Sequence, residues 1–151
     1  MEIKRDNLNG SKVIALLEEH LSDMYATSPP ECVHALDVQA LKSPNIIFFS
    51  AWSNGSLAGC IAIKNLDSHS AEIKSMRTSH QFRGQGVASE LLAFVLNFAK
   101  DQGYKTICLE TGTQDYFSAA RNLYKKFGFS DCGPFSDYKL DPNSHFMSRD
   151  V

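Results

Sequence analysis

A short segment of the chain, RGQGVASELL from Arg83 to Leu92, puts an arginine and two glycines directly ahead of an apolar, helix-like run. Glycine lowers helix stability, so its use at this place needs a reason. The first turn of a helix has free backbone N–H groups and the positive end of the helix dipole, which together favour a bound anion. The segment therefore indicates either an anion site or only a tight turn.

Two nucleotide-binding patterns compete for this segment. A Rossmann dinucleotide site needs G-x-G-x-x-G directly after a strand, but Ser89 stands where the third glycine belongs and Ser79–Arg83 separate the strand from the first glycine. Glu110, near the end of the next predicted strand, imitates the acidic residue that binds ribose, so an NAD(P)-binding oxidoreductase stays as an alternative. A Walker P-loop is excluded because no Gly-Lys-Ser/Thr follows.

Two segments of the chain each resemble a pattern of the same protein family. Arg83, Gly86 and Ala88 stand between a predicted strand and a long amphipathic helix. This arrangement resembles the R/Q-x-x-G-x-G/A signature of the GNAT superfamily, the N-acetyltransferases that use acetyl-CoA. The segment AARNLYKKFGF (Ala119–Phe129) is similar to the family's A-x-x-L-Y-x-x-x-G-F segment. The resemblance covers about residues 45–130. It implies an α/β, GNAT-like (acyl-CoA N-acyltransferase) fold, with a mixed central sheet of about six to seven strands flanked by about four helices, in a single domain over residues 1–151.

The resemblance implies acetyl-CoA as the cofactor and places it around the glycine segment. Backbone amides at the helix start would hold the pyrophosphate, with Arg83 adding charge. The pantetheine arm would pair with the preceding strand. Phe117 departs from the pattern, because many members have an asparagine there that bonds the pantetheine. In this chain Asn122, or packing of the cofactor arm, would replace that hydrogen bond. The implied cofactor-binding residues are Met76, Arg77, Thr78, Arg83, Gly84, Gln85, Gly86, Val87, Ala88, Asn122 and Tyr124.

Acetyl transfer to an amine needs a base for the amine, a donor for the oxyanion and an acid for the departing thiolate. By the resemblance, Tyr124 is the acid and the Met76 N–H is our choice for the oxyanion donor. Glu72, four residues before Met76, is expected on the same strand face and matches a place where some GNAT enzymes have a general base. A solvated carboxylate at Glu72 is the alternative, because a base near neutrality needs a pKa raised by burial.

The acceptor site is expected in two loops, Ser28–Asp37 and Gly133–Asn143. Asp137 could pair with an ammonium group, and aromatic residues could line the pocket. The histidines show no metal spacing, and no metal is expected. The candidate substrate-binding residues are His34, Phe135, Asp137 and Tyr138.

Apolar spacing and turn residues predict the elements that position these side chains. Helices are expected over Ser11–Tyr25 with Ser11 as the N-cap, Val38–Leu41, Val87 to about Gly103, and Tyr116–Phe127. Asn54-Gly55 predicts a hairpin turn. The expected strands are Ile46–Trp52, Leu57–Leu66, Ala71–Thr78, Thr106–Glu110, Phe129–Cys132 and His145–Ser148.

Composition limits the class of protein. The chain has 151 residues and a net charge of −2, which argues against nucleic acid as a partner. It has no signal-peptide pattern and no apolar run long enough to span a membrane; four scattered cysteines suit a reducing cytoplasm. We therefore expect a cytoplasmic N-acetyltransferase that acts on a primary amine of a small molecule or peptide by direct attack in a ternary complex. A homodimer is compatible with the sequence, and a non-catalytic acyl-CoA-binding module is the main alternative.

Overall fold

The computed structural model describes residues 1–151. Seven strands form one mixed sheet in the order β1-β2-β3-β4-β5-β7-β6. All neighbouring pairs are antiparallel except β4 and β5, which are parallel. The strands are β1 (Glu2–Arg5), β2 (Ile46–Ser53), β3 (Ser56–Asn65), β4 (Ser70–Thr78), β5 (Thr106–Gly112), β6 (Ser130–Asp131) and β7 (Ser144–Asp150).

Helices cover both faces of the sheet. The α-helices are α1 (Ser11–Thr27), α2 (Val38–Leu41), α3 (Val87–Asp101) and α4 (Ser118–Lys126), and short 3-10 turns precede α2, α3 and α4. The apolar stripe of α3, including the fully buried Leu91 and Leu92, packs on one face together with Tyr124 of α4. Leu17 of α1 and Leu41 of α2 pack in a second core on the other face. None of the helices has the length and apolar character needed to cross a membrane.

Most of the predicted elements are confirmed, and the differences have local causes. The N-cap of α1 is Gly10 rather than Ser11, which is the first helical residue. The predicted helix over Tyr116–Phe127 is a 3-10 turn at Asp115–Phe117 followed by α4. Strand β1 was not predicted, because Glu-Ile-Lys-Arg is a short edge strand with a single apolar residue and carries little periodic signal.

The β4 and β5 strands are paired over only part of their length. Their parallel pairing runs from Ser70–Thr106 to Ile73–Leu109 and then stops, although β4 continues to Thr78 and β5 to Gly112. Beyond Ile73 the two strands therefore splay apart. The sheet has a cleft at its centre, and the backbone edges that face it are not paired across the gap.

A β-bulge lies in β4 where the cleft opens. The β3–β4 register passes from Ala62–Lys74 to Cys60–Arg77, so Ile61 alone lies opposite Ser75 and Met76. Ser75 has a positive φ of 52°, a conformation that non-glycine residues rarely adopt. A bulge inserts one residue and reverses which side chains share a face. The regular alternation of side chains along β4 consequently breaks beyond Lys74.

Candidate active site

The start of α3 has the form of an anion cradle. Gly84 and Gly86 both have left-handed backbones, with φ of 75° and 82°, and Gly86 caps the helix without a side-chain hydrogen bond. The amides of Gln85 to Ser89 donate to no other group of the protein. A Cβ built on either glycine would meet no atom within 4 Å. The glycines therefore serve the backbone conformation and leave open space above the free amides.

A hollow of about 280 Å³ lies directly at this helix start. Gly84, Gly86, Val87 and Ala88 line it together with Asn122 and Lys126 of α4. Lys126 was not among the predicted site residues, although it adds a cation beside the free amides. Asn122 lies here and does not line the larger cleft described next. Its place is therefore suited to the phosphate end of a ligand rather than to the arm that would bind between the strands.

The larger cleft, about 400 Å³, lies between the splayed strands. Its walls come from β4, β5, α1, α4 and the loop after α1. Phe117, the position at which the sequence departs from the family pattern, is buried and lines this wall with its ring. Among the predicted residues, the cleft is lined by His34, Met76, Arg77, Thr78, Arg83, Ala88 and Tyr124.

The bulge separates Glu72 from Met76. Met76 packs with Ile73 against the core under α3, whereas Glu72 contacts Lys74 and Tyr138. The expectation that both side chains share a strand face is therefore wrong, because the bulge adds a residue at Ser75 that no pattern in the sequence marks. Glu72 is 2% exposed and does not line the cleft.

Glu72, Lys74 and Tyr138 form a closed polar cluster. The Tyr138 hydroxyl donates to Glu72 Oε2 at 2.6 Å, and the Lys74 ammonium donates to Glu72 at 3.3 Å and to the Tyr138 oxygen at 2.9 Å. The third Lys74 bond goes to the carbonyl of His34 at 3.1 Å. Burial and the neighbouring Glu72 raise the pKa of Tyr138 well above its ordinary value. The cluster ties the loop after α1 to β4 and to the segment before β7.

The predicted acceptor residues are partly brought together. Tyr138 packs edge-on against His34 at 5.0 Å and against Phe135 at 5.1 Å, but only His34 of these lines the cleft. Tyr138 contacts the lining residues His34 and Lys74, and Phe135 contacts Tyr138. Asp137 is exposed on the loop and makes no hydrogen bond or salt bridge within the protein, so the structure does not place it with the others.

Tyr124 lines the cleft from α4. It is buried in the core under α3, with its ring 5.8 Å from that of Phe129. Burial, together with the negative charge of Glu110, raises its pKa above the ordinary tyrosine value. The phenol is therefore protonated at neutral pH and has a proton to donate.

Glu110, considered from the sequence only as a ribose ligand, also lines the cleft. It lies on β5 next to the point where the strands part. Burial raises its pKa from 4.5 to about 7, with Lys74 opposing the shift and Glu72 adding to it. A carboxylate with a pKa near neutrality is suited to general-base work. Only the folded structure shows this burial.

Arg77 was predicted as a pantetheine contact and also connects β4 to α1. Its guanidinium is bonded to Glu19 and, at 2.6 Å, to Asp23, and Asp23 also accepts from Tyr116 at 3.5 Å. The bond to Arg77 holds the pKa of Asp23 below its ordinary value. The same α1 segment carries His20, whose pKa is lowered to about 4 by burial and by the nearby Arg77 charge. His20 is therefore neutral at physiological pH.

A parallel strand pair that splays apart, connected by a helix with a free N-terminus, is typical of the acyl-CoA N-acyltransferase fold. Comparisons with known proteins agree. Residues 13–129 match the acetyltransferase (GNAT) family. The chain is 48% identical to the uncharacterized N-acetyltransferase YsnE of Bacillus subtilis, over 99% of each chain. It is 49% identical to the uncharacterized N-acetyltransferase YedL of Escherichia coli, over 97% of this chain and 92% of that one.

A solved structure extends the likeness to the whole fold. A GNAT family acetyltransferase from Elizabethkingia anophelis with acetyl-CoA bound superposes with a TM-score of 0.69 over 99% of this chain and 97% of that one, at 18% identity. The protein belongs to the acetyltransferase (GNAT) family. The predicted fold class is thereby confirmed.

Proposed function

We propose that the protein is an acetyl-CoA-dependent N-acetyltransferase that transfers the acetyl group to a primary amine of a small molecule or peptide by direct attack in a ternary complex. The observation that carries the proposal is the placement of two features in adjoining cavities, which share Thr78 and Ala88 in their walls. Free amides at the α3 N-terminus lie at the smaller hollow, and a carboxyl with a pKa of about 7 lines the larger cleft where β4 and β5 part. The first suits a pyrophosphate and the second suits an amine.

The residues present fit the cofactor. The amides of Gln85, Gly86, Val87 and Ala88 would hold the pyrophosphate, with Arg83 and Lys126 supplying positive charge. The unpaired edge of Met76–Thr78 would bind the pantetheine amides. Acetyl-CoA supplies an acetyl group already activated as a thioester.

Three groups of the chain would act as general base, general acid and oxyanion donor. We assign the general base to Glu110, which takes the amine proton while its own carboxylate is ionised. The sequence favoured Glu72 for this role, and that assignment stays a prediction; Glu72 already accepts bonds from Tyr138 and Lys74 and lies outside the cleft lining. Tyr124 Oη holds the proton for the leaving sulfur, and the Met76 N–H, within the bulge, is the proposed oxyanion donor.

The test is a screen of primary amines with acetyl-CoA, read by release of free thiol and by the mass of the acetylated product. We expect at least one amine to be acetylated at a rate well above hydrolysis. Tight binding of CoA without turnover of any amine would instead support the non-catalytic acyl-CoA-binding module. A thermal-shift comparison of CoA with NAD(P) separates both from the dinucleotide-binding alternative.

A further inference from the structure

Three buried polar atoms of residues that line the cleft make no hydrogen bond within the protein. They are His20 Nδ1, Ser75 Oγ and Arg77 Nε. All three residues line the same cleft, and the Arg77 side chain is 4% exposed. Buried polar atoms are nearly always hydrogen-bonded, since leaving one unpaired costs about 1–3 kcal/mol. Three in one wall point to a ligand.

The local backbone holds these groups in place. Ser75 is the bulge residue with the positive φ, and its carbonyl accepts from the buried Cys60 thiol at 3.3 Å. Arg77 is fixed two residues later by Glu19 and Asp23 on α1. We call this set of His20, Ser75 and Arg77 the polar recess.

The charges around the polar recess indicate which kind of chemical group it can bind. The single positive charge of Arg77 is already met by two carboxylates, and His20 is neutral because its pKa is about 4. A further carboxylate would be repelled by Glu19 and Asp23, and an ammonium carries only donors, so it could not accept from Arg77 Nε–H. Arg77 Nε and Ser75 Oγ offer N–H and O–H donors to a neutral oxygen.

We propose that the polar recess binds a neutral oxygen of the acceptor, a hydroxyl or an amide carbonyl, and so selects amines that carry such a group. The acceptor, rather than the pantetheine arm, is the favoured source because Arg77 reaches the recess on the α1 side of β4, opposite the Met76 side that packs under α3. The inference rests on the proposed acetyltransferase function and names its substrate class.

The experiment compares two matched series of amines on the whole protein. One series is ω-amino alcohols from 2-aminoethanol to 5-aminopentan-1-ol, and the other is the alkylamines in which methyl replaces hydroxyl. β-Alaninamide and isopentylamine form the matching amide pair. Each probe is measured as kcat/KM with acetyl-CoA and as affinity for the CoA-bound protein. We expect the best oxygen-bearing probe to exceed its alkyl partner by about 10-fold, chiefly in KM.

Ser75→Ala should reduce that preference to within about 3-fold, and His20→Phe, which keeps a ring of similar size and removes Nδ1, should do the same. Ser70→Ala makes the same change on the same strand outside the cleft and should leave the preference intact. An absence of any preference, or a preference that survives both recess variants, overturns the proposal.

A uniform loss across all amines together with weaker CoA binding in calorimetry would assign the recess to the cofactor and also overturn it. Failure of the proposed function is recognisable separately, because it would appear in the wild-type protein as no acetylation of either series.

Discussion

At the scale of single residues, the site depends on where burial places ionisable groups. Glu110 and Tyr124 both have raised pKa values, and burial is the larger cause in each case. The effect gives one group that can take a proton near neutral pH and another that keeps its proton. Each role can be tested by removing a single ionisable or hydroxyl group while its volume is retained.

Glu110→Gln should lower kcat/KM by roughly 10²–10⁴-fold and remove its rise with pH through about 7, because the amide cannot accept the amine proton. An independent readout is stability. Between about pH 4.5 and 7 the folded carboxyl keeps a proton that the unfolded chain releases, so wild-type stability should fall as pH rises in this window. The variant should lose that slope in denaturant titrations. A wild-type pH profile in Glu110→Gln would assign the base elsewhere.

Glu72→Gln is the companion test. If the sequence-based assignment of the base is right, this variant loses roughly 10²–10⁴-fold in rate with little change in CoA affinity. We expect the smaller loss here, because Glu72 is bonded to Tyr138 and Lys74 and does not line the cleft. Measuring both variants at several pH values decides between the two carboxylates.

Tyr124→Phe keeps the ring that packs near Phe129 and deletes only the hydroxyl. CoA binding should survive, while the chemical step slows by roughly 10²-fold or more if the phenol protonates the thiolate. An acetyl donor whose leaving group needs no proton should be nearly indifferent to the change. A wild-type rate with acetyl-CoA, under conditions where chemistry limits turnover, would show that Tyr124 serves packing alone.

At the scale of elements, the start of α3 and the splay of β4 from β5 have the same effect, because each leaves backbone groups without a partner. A helix leaves its first amides free, and a strand that parts from its neighbour leaves one edge free. Both occur within a short stretch of chain, joined by the 3-10 turn His80–Phe82. With this number of free backbone donors, the proposed phosphate-bearing ligand would need few side chains to hold it.

Gly86→Glu should abolish CoA binding, because a side chain and a negative charge would occupy the space above the free amides. The substitution also strains a residue with φ of 82°. Gly103→Glu is the matched control, since Gly103 lies at the far end of α3 with φ of 87° and equally open surroundings. Calorimetry with CoA should show lost binding only in Gly86→Glu. Equal affinity in the two variants would remove the phosphate-site assignment.

At the scale of the whole molecule, the cleft has walls from distant parts of the chain. Arg77 on β4 connects to Glu19 and Asp23 on α1, and Asp23 contacts Tyr116 on the segment before α4. Lys74 connects β4 to the loop after α1 through the His34 carbonyl. The α1 side of the cleft is therefore held by polar contacts between elements rather than by one continuous apolar core.

Arg77→Met should lower the melting temperature by about 2–4 °C, the shift expected for about 1 kcal/mol, because the partly exposed carboxylates can still be hydrated after the arginine is lost. The pKa of Asp23 is lowered in the folded protein. The ion pair therefore stabilises the folded protein fully at pH values above the ordinary Asp pKa, and this contribution disappears as the pH falls through the lowered value. Thermal melts in acid should show that loss in the wild type and not in the variant. Lys105→Met, an exposed cation outside the salt bridges, is the control and should keep the wild-type acid dependence.

The sequence alone determined the features that depend on neighbours along the chain. The spacing of Leu91, Leu92 and Val95 predicts α3, Asn54-Gly55 predicts the β2–β3 turn, and Gly84 and Gly86 predict the cradle; the structure has all of these. Such signals are local because helix periodicity and left-handed backbone are properties of a few consecutive residues.

Only the tertiary structure decided which polar groups act together. The bulge at Ser75 moves Met76 away from the face of Glu72, and nothing in the strand's composition marks it. The raised pKa of Glu110 comes from burial beneath elements distant in sequence, and the polar recess joins His20 to a strand more than fifty residues later. Burial and the distances between charges are properties of the packed chain. Residue types and spacing can therefore indicate candidate site residues, but they cannot show which of them lie close together.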